Sequence, residues 1–123
     1  MASALAALAP ALPARAAIPA FWQELAHCET GGRWDWGARH RPGEGPLFEG
    51  GLGFYSGTWT MWRTELGVSY RHAWQAPPAV QVLVANWGLA HGGYWGCLRN
   101  VPRSEYPSPA EMPRLWLAAP RLV

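Results

Sequence analysis

Residues 27–36 read HCETGGRWDW, and the rest of the chain is best read outward from them. A cysteine abuts a glutamate, a glycine pair follows, and two tryptophans flank an aspartate. A glycine can take the left-handed conformation that closes a helix, so a helix entering this stretch ends near Thr30. Upstream, Pro19 suits a first helical turn. Phe21, Trp22, Leu25 and Cys28 or Glu29 recur every three or four residues, the spacing of one buried helix face. A helix over 19–30 is therefore predicted, with Glu29 in its last turn on the edge of the apolar face. A carboxyl held against apolar surface keeps its proton more readily, and a general acid must carry one. The plainer alternative is a solvated residue at a helix end.

Downstream, residues 33–54 hold six glycines and two prolines, which excludes a long helix and reads as loops with one small hairpin. The GGLGF run at 50–54 lacks the Lys and the preceding strand of a phosphate-binding loop. A second helix is predicted over 57–66, with Ser56 as its N-cap, Gly67 as its stop and Trp59, Trp62 and Leu66 as its apolar stripe. A third runs from Pro77–Pro78 to Ala90 and stops before Gly92–Gly93. Val80, Leu83, Val84 and Trp87 point inward along it, making it the candidate central helix. The fold class is mainly α: a small helical scaffold with a glycine-rich loop lobe and a groove.

At 123 residues the chain supports one domain. Its net charge of +2 comes from scattered arginines and does not make the basic face that nucleic acid requires. An anionic polymer such as a cell wall is compatible with it. Nine tryptophans either fill the core or line a groove. His27, His40, His72 and His91 stand at no metal-ligand spacing, and no cofactor motif is read. Cys28 and Cys97 are either a disulfide or two buried thiols.

Residues 1–17 are rich in Ala and Pro and lack the basic start of an export signal. They read as a flexible or docking arm, and no apolar run reaches the ~18 residues of a membrane span. Residues 101–123 carry five prolines and read as an extended tail with at most a short helical turn around 114–118. Leu115, Trp116 and Leu117 form an apolar knob suited to docking on another protein subunit.

Three separated runs carry a resemblance: FWQELAHCETGGRW, FEGGLGFYSGTW and VQVLVANWGLAHGGYWGC, spanning Phe21 to Cys97. In this order they resemble the resuscitation-promoting-factor domain, a compact lysozyme-like module of actinobacteria and their phages. The resemblance implies a domain over 18–100, a catalytic glutamate at Glu29 and a Cys28–Cys97 disulfide. It places a glycan cleft near Trp34, Gly51, Phe54, Thr58, His91 and Trp95. The substrate class is peptidoglycan, cut at the β-1,4 bond between N-acetylmuramic acid and N-acetylglucosamine by hydrolysis or lytic transglycosylation. The implied location is extracellular or on the cell wall.

The chain departs from the family pattern at four places. Thr30 replaces Ser, Gly53 replaces Gln in the Gly–Gly–Leu–Gln–Phe run, His91 stands where Gln is common, and Asn86 replaces an acid. Loss of sugar-binding amides leaves open an alternative, a weak or inactive wall-binding component of a larger assembly such as an actinobacteriophage tail. A two-carboxylate mechanism would draw on Glu49 before Asp35 or Glu44; a single-acid mechanism needs none of these.

Overall fold

A computed structural model describes residues 18–39 and 48–107. The expectations for residues 1–17, for His40 and Glu44, and for the knob at Leu115, Trp116 and Leu117 lie outside the described residues. Among those described are three α-helices and a two-stranded hairpin.

The first helix, α1, spans Ala20–Thr30, with Pro19 at its N-cap position. Trp22, Leu25 and Ala26 are its buried residues, as the apolar spacing predicts. Gly31 closes it in the left-handed conformation at φ 72°, its N–H donating to the His27 carbonyl at 2.9 Å. The chain turns away from the helix there, which leaves Glu29 on the last turn.

Strands β1 (Phe48–Glu49) and β2 (Phe54–Tyr55) pair antiparallel, with Phe48 opposite Tyr55 and Glu49 opposite Phe54. The period-2 alternation sends Glu49 and Phe54 inward and leaves Phe48 and Tyr55 exposed. Between them the turn closes with Gly53 N–H donating to Gly50 O at 3.1 Å. Both glycines have positive φ, 79° and 64°, a region that other residues enter only with strain.

Helix α2 follows at once, over Ser56–Leu66. Tyr55 takes the N-cap position that the sequence assigned to Ser56, because β2 runs straight into the helix and extends its start by a residue. Gly67 ends α2 at φ 69°, and Val68 N–H donates back to Arg63 O at 2.8 Å.

Helix α3, Pro78–Ala90, is central. Val80 and Val84 are buried as expected, whereas Leu83 and Trp87 are only half-buried and Val82, Ala85 and Gly88 are inside. Neighbours cover most of its circumference, so its inner face is wider than a single stripe. A Cβ at Gly88 would overlap the Trp62 ring, so α2 and α3 approach through glycine.

The core is aromatic. Phe54 lies 5.0 Å from Trp59, 6.2 Å from Trp62 and 6.0 Å from Trp95, and Trp95 reaches Trp22 at 5.7 Å, all edge-to-face. Cys28 and Cys97 are joined, with a Cα separation of 6.2 Å, tying the end of α1 to the 3-10 turn Gly96–Leu98.

The expected tail does not begin cleanly at 101. Val101 and Tyr106 pack on the core, Tyr106 sits 5.8 Å from the Phe21 ring, and Arg103–Glu105 forms a 3-10 turn. Apolar side chains on either side of Pro102 hold this stretch against α1.

Candidate active site

Glu29 leaves the last turn of α1 half-buried. Its Oε2 accepts the backbone N–H of Cys97 at 3.0 Å. The disulfide therefore does two things at one place: it joins residues 28 and 97, and it holds the Cys97 N–H against the neighbouring carboxylate. Oε1 accepts no hydrogen bond from a described residue.

The residue after Glu29 connects the helix to the glycine turn. Thr30 Oγ1 lies 2.7 Å from Gly51 O and 3.2 Å from Ala26 O. One hydroxyl proton serves both carbonyls, and the shorter contact, to Gly51, is the stronger. The same oxygen accepts Arg33 N–H at 3.2 Å.

The turn is held from the other side by Gln81, a fully buried residue of α3. Its Oε1 accepts Gly51 N–H at 2.8 Å, and its Nε2 donates to Trp34 O and Ala76 O, both at 2.9 Å. Gly51 presses directly on the Trp34 ring. Gly53 faces more open space, because a Cβ there would meet only the Thr30 methyl, at 3.9 Å.

The expected cleft residues divide. Thr58 is half-buried in the first turn of α2, and Trp34 is half-buried as the wall behind Gly51. Phe54 and Trp95, by contrast, are only 2% and 6% exposed. Their rings complete the aromatic core and offer no free face to a sugar. His91 follows α3 and is exposed, stacked on Trp87 with ring centroids 3.9 Å apart. Its Nδ1 lies 2.7 Å from Trp87 O; a carbonyl only accepts, so Nδ1 carries a proton and Nε2 points elsewhere.

Glu49, the candidate second carboxylate, is 2% exposed. Its Oε1 accepts Ala73 N–H at 2.9 Å, and its Oε2 lies 3.1 Å from His72 Nδ1. Strand alternation turns it inward, where it ties the hairpin to the segment before α3 instead of facing a substrate. From sequence, Thr30 is read only as a replacement of Ser and His72 only as a histidine at no metal-ligand spacing, while Gln81 is not singled out, although it carries a signal as a polar residue inside the apolar run Ala79–Val84.

Two concavities are lined by described residues. One of about 470 Å³ is lined by Arg33, Asp35, Trp36 and Arg39 with their neighbours. The other, about 340 Å³, lies beside the disulfide between Phe21, Glu24, Leu98 and Glu105. Glu29 lines neither. No helix among the described residues is long and apolar enough to cross a membrane.

The chain matches the family profile described as the transglycosylase-like domain over residues 16–97. No curated protein and no solved structure matches it. The matched span covers well over half of the chain and ends on Cys97, so Glu29, the glycine hairpin, Gln81 and the disulfide all lie inside it. The chain belongs to the transglycosylase-like domain family, a lysozyme-like group that acts on peptidoglycan.

Proposed function

We propose that the protein cleaves the glycan strand of peptidoglycan at the β-1,4 bond between N-acetylmuramic acid and N-acetylglucosamine, with Glu29 as its single general acid. The observation that carries this reading is the setting of Glu29: half-buried at the helix end, with one carboxylate oxygen held by Cys97 N–H and the other without a described partner. A proton on Oε1 passes to the glycosidic oxygen as the bond to C1 of the muramic acid breaks. The carboxylate that forms is stabilised by the N–H on Oε2. It then takes the proton of the sugar's own C6 hydroxyl as that oxygen attacks C1, giving a 1,6-anhydro end.

No second carboxylate enters this route, which accords with Glu49 being buried and already bonded. The disulfide favours an extracellular or wall-associated setting, because such bonds persist where conditions are oxidising.

A second reading, glycan binding without turnover, draws on Gly53. Where the family has an amide the chain has open space, and a sugar polar group left unpaired there would weaken productive binding by about 1–3 kcal/mol. Mass spectrometry of the products from purified peptidoglycan separates the routes. Fragments lighter by one water than the hydrolysis product are expected. Reducing ends alone would replace transglycosylation with hydrolysis, and intact strands would favour the binding component.

A further inference from the structure

We propose that Gln81 is a positioning residue for glycan cleavage, setting the Gly50–Gly53 turn against Glu29 through Gly51 and Thr30. The inference rests on the assignment of Glu29 as general acid. Gln81 is completely buried on the central helix, where a second valine or leucine would be the ordinary occupant. Instead its amide makes three bonds to three separate segments: the stretch after α1 at Trp34 O, the hairpin turn at Gly51 N–H, and the entry to α3 at Ala76 O.

The orientation of that amide is dictated by its partners. Two of them are carbonyls that need N–H donors and the third is an N–H that needs an acceptor, so a flipped amide would oppose all three. Gly50 cannot yield space either, since a Cβ there would come within 2.5 Å of Gln81 Oε1.

Gly51 is then gripped at both of its backbone polar groups, one on each of the peptide units that flank its Cα. Its N–H goes to Gln81 at 2.8 Å and its carbonyl receives the Thr30 hydroxyl at 2.7 Å. Thr30 is the neighbour of Glu29 on the same helical turn. A short path of directed bonds therefore runs from the rigid helix α3, through the glycine turn, to the residue beside the acid. Displacing the turn by about 1 Å would leave the acid in place and shift any sugar resting on the turn, an error worth about 100-fold in rate.

The test uses the full chain with soluble glycan strands, measuring kcat, KM and thermal melting for wild type, Glu29→Gln, Gln81→Met, Gln81→Glu, Thr30→Val and Thr30→Ser. Gln81→Met and Thr30→Val should melt cooperatively and lose about 10–100-fold in kcat with KM within about threefold. Thr30→Ser, which keeps the hydroxyl, should stay near wild type. The deficit of Gln81→Glu should shrink as pH falls, because a protonated carboxyl accepts from Gly51 N–H and donates to one of the two carbonyls. A residue that only filled the core would lower the melting temperature and leave kcat alone. Wild-type kcat in a folded Gln81→Met, or a change confined to KM, overturns the proposal. If Gln81→Met does not fold, full kcat in Thr30→Val overturns it. Inactive Glu29→Gln beside intact Gln81→Met and Thr30→Val sinks the positioning role alone. Wild-type activity in Glu29→Gln sinks the general-acid reading and this inference with it.

Discussion

Replacing both cysteines, Cys28→Ser with Cys97→Ser, perturbs stability and the candidate site together. The bond closes a loop across a sequence separation of 69, for which the chain-entropy relation gives a loss of about 4 kcal/mol. This is an upper figure, since engineered and natural bridges commonly return about 2–4 kcal/mol. For a domain of this size each kcal/mol moves the melting temperature by about 4–8 °C, so a fall of at least about 10 °C is expected. Circular dichroism melts of the oxidised wild type, the reduced wild type and the double variant measure it. The bond also fixes the Cys97 N–H against Glu29 Oε2 at 3.0 Å. At a temperature where the variant is fully folded, its cleavage rate should still fall by about 10-fold, as expected on losing one charge-assisted hydrogen bond. A variant that melts within about 2 °C of wild type would refute the claim that this bridge is a principal source of stability. Unchanged cleavage by the folded variant would refute its link to the site.

Glu49→Gln should destabilise by about 1–2 kcal/mol through its weakened bonds to His72 and Ala73, while cleavage stays within about threefold; a 100-fold loss in a stable variant would make Glu49 a reacting group. Gly88→Ala forces a methyl into the Trp62 ring and should cost about 1–3 kcal/mol, read as a lower calorimetric melting temperature; an unchanged melt would contradict the tight α2–α3 approach. Gly53→Gln enters a backbone position at φ 64° with no steric obstacle closer than 3.9 Å. It should lose about 1 kcal/mol of stability to strain and lower KM for glycan strands; an unchanged KM would dissociate this position from sugar binding.

The helices were legible because proline and glycine bracket them. Pro19 and Gly31, Gly67, and the Pro77–Pro78 pair all act where local backbone chemistry says they should. The Glu29 environment was legible only as an edge position in a buried stripe. Its partner stands 68 residues away, and no local pattern encodes so distant a bond. The family resemblance assigns Phe54 and Trp95 to the cleft, and nothing local in the sequence tells a ring that meets a sugar from one that fills a core; the packing of Trp22, Trp59 and Trp62 around them decides for the core. Glu49 was within reach of sequence reasoning, since alternation across the Gly50–Gly53 turn puts it opposite Phe54 and inward. Gln81 was hidden by its surroundings, because an apolar helical run directs attention to its hydrophobic members.

The most direct test of the account is the release of soluble muropeptides from purified peptidoglycan by wild type and Glu29→Gln, with thermal melts taken in parallel. The account predicts steady release by the wild type and a loss of about 10²–10⁴-fold in the variant, with melting temperatures that agree within about 3 °C because the half-buried carboxylate makes a single described hydrogen bond. Release by Glu29→Gln at the wild-type rate would contradict it.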